Sequence, residues 1–190
     1  MEIKTELIRK IFHFLIALSC GLALINYSYT IIALIFGIFG YIIFELLRLS
    51  GIKVPVVSSI TNMASRQRDM GHFVYGPVTL GIGTVLTLIL YPFPAAVISI
   101  YALAFGDGFA SLVGKIFGKT RPYFLHGKSL EGSIACFTAV FISAFFICQS
   151  CIASLTVAFT ASVTEALPLE DYDNIALPLT VGLVASWFIK

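Results

Sequence analysis

Long apolar stretches, separated by short polar connections, run through most of the chain. A helix needs about 20 apolar residues to cross a hydrocarbon core that is about 30 Å thick. Hydropathy and helix-breaking residues together predict seven spans, near residues 8–25, 30–47, 72–91, 94–117, 129–149, 151–167 and 175–189. The pattern therefore predicts an all-α fold, a polytopic transmembrane helical bundle that forms a single domain over residues 1–190.

A more polar segment separates the second and third predicted spans. Its sequence, GIKVPVVSSITNMASRQRDM, is too polar to cross a membrane. It mixes Val, Ile and Met with Arg66 and Arg68, a composition that suits a helix lying in the membrane interface. We expect an interfacial helix near residues 54–66.

The composition supports an integral membrane protein. Of the 190 residues, 58% are hydrophobic and 12% are charged, and the mean hydropathy is +0.97. These values lie outside the range of water-soluble domains. They exclude a soluble core, and we expect membrane lipids as neighbours and no nucleic-acid partner.

Charge is distributed unevenly between the connections. Residues 26–29, 91–94 and 149–151 form short, uncharged connections. The longer connections at 48–70 and 115–128 carry Arg48, Lys53, Arg66, Arg68, Lys115, Lys119, Arg121 and Lys128. Basic loops favour the cytoplasmic side, so the N-terminus is predicted inside and the C-terminus outside. All ten acids and all three histidines fall on the same side, so a site facing the cytoplasm is expected.

Asp107 lies about ten residues inside the end of the fourth predicted span. A carboxylate at such a depth costs about 2.5–3.5 kcal/mol on insertion scales, so we expect a cation beside it. Ala110, Gly114 and Gly118 follow on the same helical stripe. Such a stripe favours either a close contact with another helix or a polyanion bound through a divalent metal.

Two further groups of polar residues adjoin predicted span ends. Lys128, Ser129 and Glu131 begin the fifth span, where a helix N-terminus attracts phosphate and where Glu131 could cap nearby amides. Arg9, Lys10 and His13 begin the first span. Charges there often mark the membrane boundary, but His13 lies one turn deeper, which favours a functional role.

The last connection, TEALPLEDYDNIALPL, is acidic. Glu165 ends one predicted span, and Asp173 and Asn174 precede the next. A metal site shared with Asp107 and a solvated turn are both compatible with this pattern.

These motifs resemble those of the membrane-bound CTP-dependent lipid-alcohol kinases, which include dolichol, phytol and diacylglycerol kinases. The family's proposed CTP-binding pattern is matched in spacing by Asp107, Ala110, Gly114, Gly118, Lys128, Ser129, Glu131 and Gly132. Gly127 stands where the family has a first Lys, and Ser129 stands where it has Thr, so Lys115 or Lys119 could replace the missing cation. The early RKIFH and the late acidic segment also resemble family motifs in the same order.

The resemblance implies transfer of the γ-phosphoryl group of CTP to a membrane lipid alcohol, either an isoprenoid (polyprenol or dolichol, phytol, geranylgeraniol) or diacylglycerol. The expected catalytic residues are Asp107, His13 and Lys128, with His13 or a carboxylate as base. Mg²⁺ is expected on Asp107 with Glu165 or Asp173. The expected CTP-binding residues are Arg9, Lys10, Ala110, Gly114, Lys115, Gly118, Lys119, Lys128, Ser129, Glu131, Gly132 and Asn174.

Two other functions remain open at this point. Phosphatidate cytidylyltransferases share a comparable motif and would transfer CMP to an acidic lipid. A small ion or metabolite carrier could use Asp107 as its coupling acid. The absence of charge in the outer half and of an inverted repeat argues against the carrier.

Overall fold

The computed structural model of the chain describes residues 3–52, 55–65, 69 and 71–189. Within these ranges the secondary structure is helical, and no strand occurs. The α-helices are α1 (Ile3–Ile16), α2 (Leu18–Ile25), α3 (Tyr27–Leu49), α4 (Pro55–Ala64), α5 (Gly76–Leu90), α6 (Phe93–Tyr101), α7 (Asp107–Ile116), α8 (Leu130–Cys148), α9 (Cys151–Ala166) and α10 (Asp173–Phe188).

The all-α membrane fold predicted from hydropathy is confirmed. Four helical stretches in the described residues are long and apolar enough to cross a membrane, namely Ile3–Ile25, Tyr27–Leu49, Phe93–Ile116 and Leu130–Cys148. Helices α5, α9 and α10 coincide with the other three predicted spans but are shorter, at 15 to 16 residues. Seven spans, and the orientation of the bundle, stay predictions.

Helix α4 lies where the interfacial helix was predicted. It packs against α1 and α3, and its Thr61 is buried. Lys53, Arg66 and Arg68 lie outside the described residues. The position of α4 relative to a membrane surface therefore stays a prediction.

Local capping explains the short connections at one end of the bundle. The Asn26 side chain accepts a hydrogen bond from the Tyr29 amide at 3.0 Å and so begins α3. Ser150 caps α9 through the Ala153 amide at 3.4 Å, directly after Gln149 in the left-handed conformation ends α8. These tight turns leave the long, charged connections at the opposite end, which we call the charged end.

Small residues let the central helices approach one another. The main core joins α6, α8, α9 and α10. Its fully buried members include Ala95, Ala102, Ala144, Ala158 and Ala161. Close approach of backbones increases van der Waals contact, which is the main source of helix association in an apolar surrounding.

A π-helical turn separates α6 from α7. It spans Ala102–Gly106 and is followed directly by Asp107. A π turn inserts one extra residue into a helix and rotates the residues after it, and such turns are frequent at functional sites. The orientation of Asp107 therefore could not be derived from regular α-helical spacing along the whole span.

Glu45 connects the end of α3 to the start of α5. Its buried carboxylate accepts hydrogen bonds from Arg48 at 2.7 Å and from the Val74 amide at 2.9 Å. Arg48 also donates to the His72 carbonyl at 2.9 Å. The two helices are thereby fixed side by side at the charged end.

Gly83 provides a test of the packing of α5 on α10. Pro178 has no N–H to donate to the Asn174 carbonyl one turn earlier, and Gly83 lies against that carbonyl. A methyl group at residue 83 would overlap the Asn174 oxygen and lie 3.1 Å from its carbonyl carbon. We expect Gly83→Ala to lower the free energy of unfolding by about 1–3 kcal/mol, measured by thermal unfolding in detergent.

Gly40→Ala is the matched control, because a methyl group at residue 40 meets nothing within 4 Å. Removing a helical glycine there should leave stability unchanged or raise it by about 0.5–1 kcal/mol. Equal stability of the two variants would contradict the contact between Gly83 and Asn174.

Candidate active site

A buried ion pair joins α1 to α7. Lys10 Nζ lies 2.5 Å from Asp107 Oδ2, and the two side chains are 3% and 5% exposed. His13 Nδ1 lies 2.9 Å from the same oxygen. Lys10 is thus the cation that was expected beside the buried Asp107. The structure also brings together three residues that were predicted from separate motifs, Lys10, His13 and Asp107.

Glu6 is a second buried acid of this cluster, and the sequence-based prediction missed it. Its carboxylate lies 3.9 Å from Lys10 Nζ and 3.7 Å from Arg9 Nη1, and it accepts a hydrogen bond from Lys115. Glu6 lies one turn before Lys10 on the same face of α1, and that spacing was the available signal.

Arg9 presents a donor that can receive an anion. Its Nη2 lies 3.4 Å from Asp171 Oδ1, whereas the buried Nη1 makes no hydrogen bond and lies 3.7 Å from the Glu6 carboxylate. An unsatisfied buried donor costs about 1–3 kcal/mol, and more when it is charged. An oxygen of a bound anion would relieve that cost.

A polar cavity of about 420 Å³ lies at the charged end, between α1, α7, α8 and α10. Most of the predicted site residues line it. These are Arg9, Lys10, His13, Asp107, Ala110, Gly114, Lys115, Lys128, Ser129, Gly132, Glu165, Asp173 and Asn174. Gly118, Lys119 and Glu131 do not line it.

The glycine stripe of α7 packs against the start of α8. An added methyl group at Gly114 would lie 2.9 Å from Ser129 Oγ, and one at Gly118 would lie 2.7 Å from Ser129 Cβ. A methyl group at Gly132 would lie 2.7 Å from the Ala110 carbonyl oxygen. The small residues thus form a close helix contact, and that contact forms one wall of the cavity.

Lys128 lies between the cavity and the end of α9. Its Nζ is 2.9 Å from Glu165 Oε1 and also donates to the Glu165 backbone carbonyl. Ser129 Oγ caps α8 by accepting the Gly132 amide at 3.1 Å. The N-terminus of α8 therefore opens toward the cavity beside a lysine, which is a suitable position for a phosphate group.

Two side chains hold the loop between α7 and α8. Glu131 accepts the amides of Lys119 and Thr120 at 3.1 and 3.0 Å, so it caps this loop and does not pair with Ser129. Arg121, which was predicted only as a loop charge, donates to the Gly114 carbonyl at 2.9 Å and to the Gly127 carbonyl. Arg121 therefore fixes the chain that leads into Lys128.

The acidic side chains of the cavity are better placed to hold a cation together with a bound ligand than to coordinate it with protein ligands alone. Asp107, Glu165 and Asp173 all line the cavity. Among the described residues, however, no three His, Cys, Asp or Glu side chains are grouped closely enough to hold a metal ion together. Mg²⁺ is commonly held by one or two carboxylates plus substrate phosphates, so this donor set fits it.

Asp173 is the first residue of α10 and lines the cavity. It lies before the predicted span at 175–189. Burial, together with the nearby charge of Asp107, raises the pKa of the Asp173 carboxyl to about 7. A cation in the cavity would lower that pKa again.

Together, fold and site define a helical membrane protein with a charged cavity at one end. The chain is 32% identical to a probable phytol kinase of Triticum aestivum, over 68% of this chain and 48% of that protein. It is 28% identical to phytol kinase 1 of Arabidopsis thaliana, over 96% of this chain and 66% of that protein. It is 25% identical to CTP-dependent diacylglycerol kinase 1 of Eremothecium gossypii, over 93% of this chain and 65% of that protein.

These similarities confirm the resemblance found in the motifs: the chain is related to the CTP-dependent lipid kinase family. The chain spans about half the length of several curated relatives that it matches, the Triticum aestivum protein among them. No family model matches the chain, and no solved structure matches it.

The raised pKa of Asp173 predicts a pH effect on stability. A carboxyl whose folded-state pKa lies above its unfolded value near 3.8 stabilises the fold at low pH and loses that effect as pH rises to about 7. In metal-free buffer we expect Asp173→Asn to match the wild type at about pH 3, below the unfolded-state pKa, and to exceed it at about pH 8. The gain should be about 1–2 kcal/mol, since the side chain is partly exposed.

Thermal unfolding at both pH values, with a chelator present, measures this difference. Asp171→Asn is the control for loss of a neighbouring acid. An Asp173→Asn variant whose stability equals that of the wild type at both pH values would contradict the raised pKa of Asp173.

Proposed function

We propose that this protein transfers the γ-phosphoryl group of CTP to the hydroxyl group of a membrane lipid alcohol, namely an isoprenoid alcohol. One observation carries the proposal. The polar cavity shares two residues, Arg9 and His13, with a long apolar groove between α1, α3 and α5. A charged nucleotide and an apolar chain could therefore meet at His13. The names of the related phytol and diacylglycerol kinases support a kinase that acts on a lipid alcohol.

The cavity supplies the charge that a triphosphate requires. Lys128 and the N-terminus of α8 lie on one side of it, and Arg9, whose Nη1 makes no hydrogen bond, lies on another. Phosphoryl transfer depends mainly on positioning and on neutralising the phosphate oxygens. We assign the phosphate contacts to Lys128, Arg9 and Lys10. The name of the Eremothecium relative supports CTP as the donor.

Asp107, with either Asp173 or Glu165, would hold Mg²⁺ together with phosphate oxygens. When bound there, Mg²⁺ would neutralise negative charge on the triphosphate. Glu165 is paired with Lys128 in the structure, so binding of the nucleotide would have to share that lysine between the acid and a phosphate.

His13 is suited to take the proton of the acceptor hydroxyl. Its Nδ1 faces Asp107 Oδ2 at 2.9 Å, so a proton held there leaves Nε2 as an acceptor. In the proposed step the hydroxyl oxygen forms a bond to the γ-phosphorus while the bond from that phosphorus to the bridging oxygen breaks. CDP leaves, and the hydroxyl proton moves to His13 Nε2. Asp107 orients the imidazole and stabilises its charged form.

The orientation follows from the positive-inside rule. We place the charged end, and with it the cavity, on the cytoplasmic side of the membrane, where CTP is available.

Labelled CTP tests the reaction. Purified protein in detergent with Mg²⁺ is incubated with lipid alcohols and acidic lipids, and with CTP labelled at the γ or the α phosphate in separate samples. We expect γ label in the lipid fraction with an alcohol acceptor, and less transfer from ATP. Label from the α position with an acidic lipid would instead establish CMP transfer. No transfer and no CTP binding would favour a carrier.

The contribution of Asp107 to activity can be measured separately from its contribution to folding. Asp107→Asn leaves Lys10 buried with a weaker partner, and breaking a buried pair costs about 3–5 kcal/mol. The double variant Lys10→Met, Asp107→Asn removes both charges, which is often neutral for stability. We expect the double variant to recover the thermal stability of the wild type and to remain at least about 100-fold less active.

Lys4→Met is the matched control for loss of a lysine, because Lys4 is exposed and does not line the cavity. It should keep the activity of the wild type. A double variant that is both stable and fully active would show that Asp107 has a structural role only.

A further inference from the structure

The apolar groove has the shape of a site for one hydrocarbon chain. Its volume is about 640 Å³, and its walls come from α1, α2, α3, α4 and α5. Apolar side chains dominate the walls, among them Leu15, Leu22, Leu34 and Leu80. The polar residues Arg9, His13, Asp69 and Asp171 lie at the charged end. An occupant therefore needs a polar group at one end and an apolar remainder.

The depth of the groove corresponds to about one leaflet of a membrane. Along α3 it extends from Tyr41, near the charged end, to Thr30. At about 1.5 Å per residue these positions are separated by roughly 17 Å along the helix axis. Half of a hydrocarbon core of about 30 Å is about 15 Å. The groove thus fits a single chain that stays within one leaflet.

The back of the groove is closed where α3 packs on α5. A methyl group at Gly81 would lie 2.6 Å from Ile38 Cγ1, so the absence of a side chain at Gly81 lets Ile38 pack directly on α5. Next to Ile38, Gly37 also lines the groove, but a methyl group there meets nothing within 4 Å. The space beside Gly37 is therefore open, roughly 6 Å deeper along α3 than Tyr41.

We propose that this groove binds the hydrocarbon tail of the lipid alcohol, and that Gly37 determines how long and how bulky a tail is accepted. The occupant is a single-chain alcohol whose hydroxyl lies at His13, because His13 lines both the groove and the cavity. This inference rests on the proposed function for the identity of the polar end. A larger side chain at residue 37 would extend into the groove past its entrance, from a position where a methyl group meets nothing within 4 Å.

A pair of glycine substitutions tests the inference. Gly37→Leu places a side chain in the groove, whereas Gly40→Leu adds the same side chain on the same helix at a position that does not line it. A methyl group at either residue meets nothing within 4 Å, so both variants should fold. The assay compares kcat/KM for a five-carbon allylic alcohol and for geranylgeraniol.

We expect Gly37→Leu to lower the ratio of kcat/KM for the long alcohol over the short one by about tenfold or more. Gly40→Leu should keep the wild-type ratio. An unchanged ratio in Gly37→Leu, or an equal change in both variants, would overturn the assignment of Gly37.

A second measurement does not depend on catalysis. A long-chain alcohol with a photoreactive diazirine on its tail is crosslinked to the wild type and to Gly37→Leu, and the labelled peptides are identified by mass spectrometry. We expect labelling of groove residues of α1, α3 and α5 that excess geranylgeraniol suppresses and that Gly37→Leu reduces. This result would support binding of the alcohol's tail in the groove even if no alcohol were phosphorylated. In that case only the proposed kinase function would fail.

Labelling spread over the outer faces of the helices, unaffected by competitor and equal in both proteins, would show that bulk membrane lipid fills the groove. That outcome would overturn the inference whatever the result of the kinase assay.

Discussion

The buried ion pair of Lys10 and Asp107 determines where the first helix lies. Two charges in an apolar surrounding are tolerated only when they remain together, since separating them leaves each unpaired at a cost of several kcal/mol. Helix α1 must therefore lie against α7 at this depth. Arg9 and His13 flank Lys10 on α1, and the same constraint places them at the polar cavity. The arrangement of the candidate active site follows from one pair of charges.

The shape of the cavity depends on residues that have little or no side chain. Gly114, Gly118 and Gly132 let α7 and the start of α8 approach until Ser129 fills the space between them. This close contact places the N-terminus of α8 and the neighbouring Lys128 at the cavity that Asp107 also lines. Arg121 and Glu131 then hold the connecting loop through its backbone. The stripe of small residues can serve helix packing and ligand binding at once, because the packed surface is also a wall of the cavity.

The sequence predicted the helices well because membrane insertion depends on local hydropathy. The span predicted at 129–149 is Leu130–Cys148, and the one predicted at 30–47 is Tyr27–Leu49. A cation beside Asp107 could also be predicted, because the cost of burying a carboxylate follows from the residue type and its depth in the span. The second buried acid, Glu6, was not predicted, although its one-turn spacing from Lys10 was a local signal. Its contact with Lys115 joins residues 109 positions apart and could not be read from the sequence. The π turn before Asp107 likewise depends on packing around the helix and has no signal in hydropathy.

The meeting of groove and cavity at His13 addresses a problem that any transfer between a soluble nucleotide and a membrane lipid must solve. A triphosphate cannot enter the hydrocarbon region without losing its hydration, and a long apolar tail cannot leave it without exposing its surface to water. Under the proposed function, each substrate keeps its own surroundings and only the hydroxyl and the γ-phosphoryl group meet. An apolar tail that fills the groove would also keep water away from His13 and so disfavour hydrolysis of the nucleotide. The lipid would then act both as acceptor and as the last wall of the site.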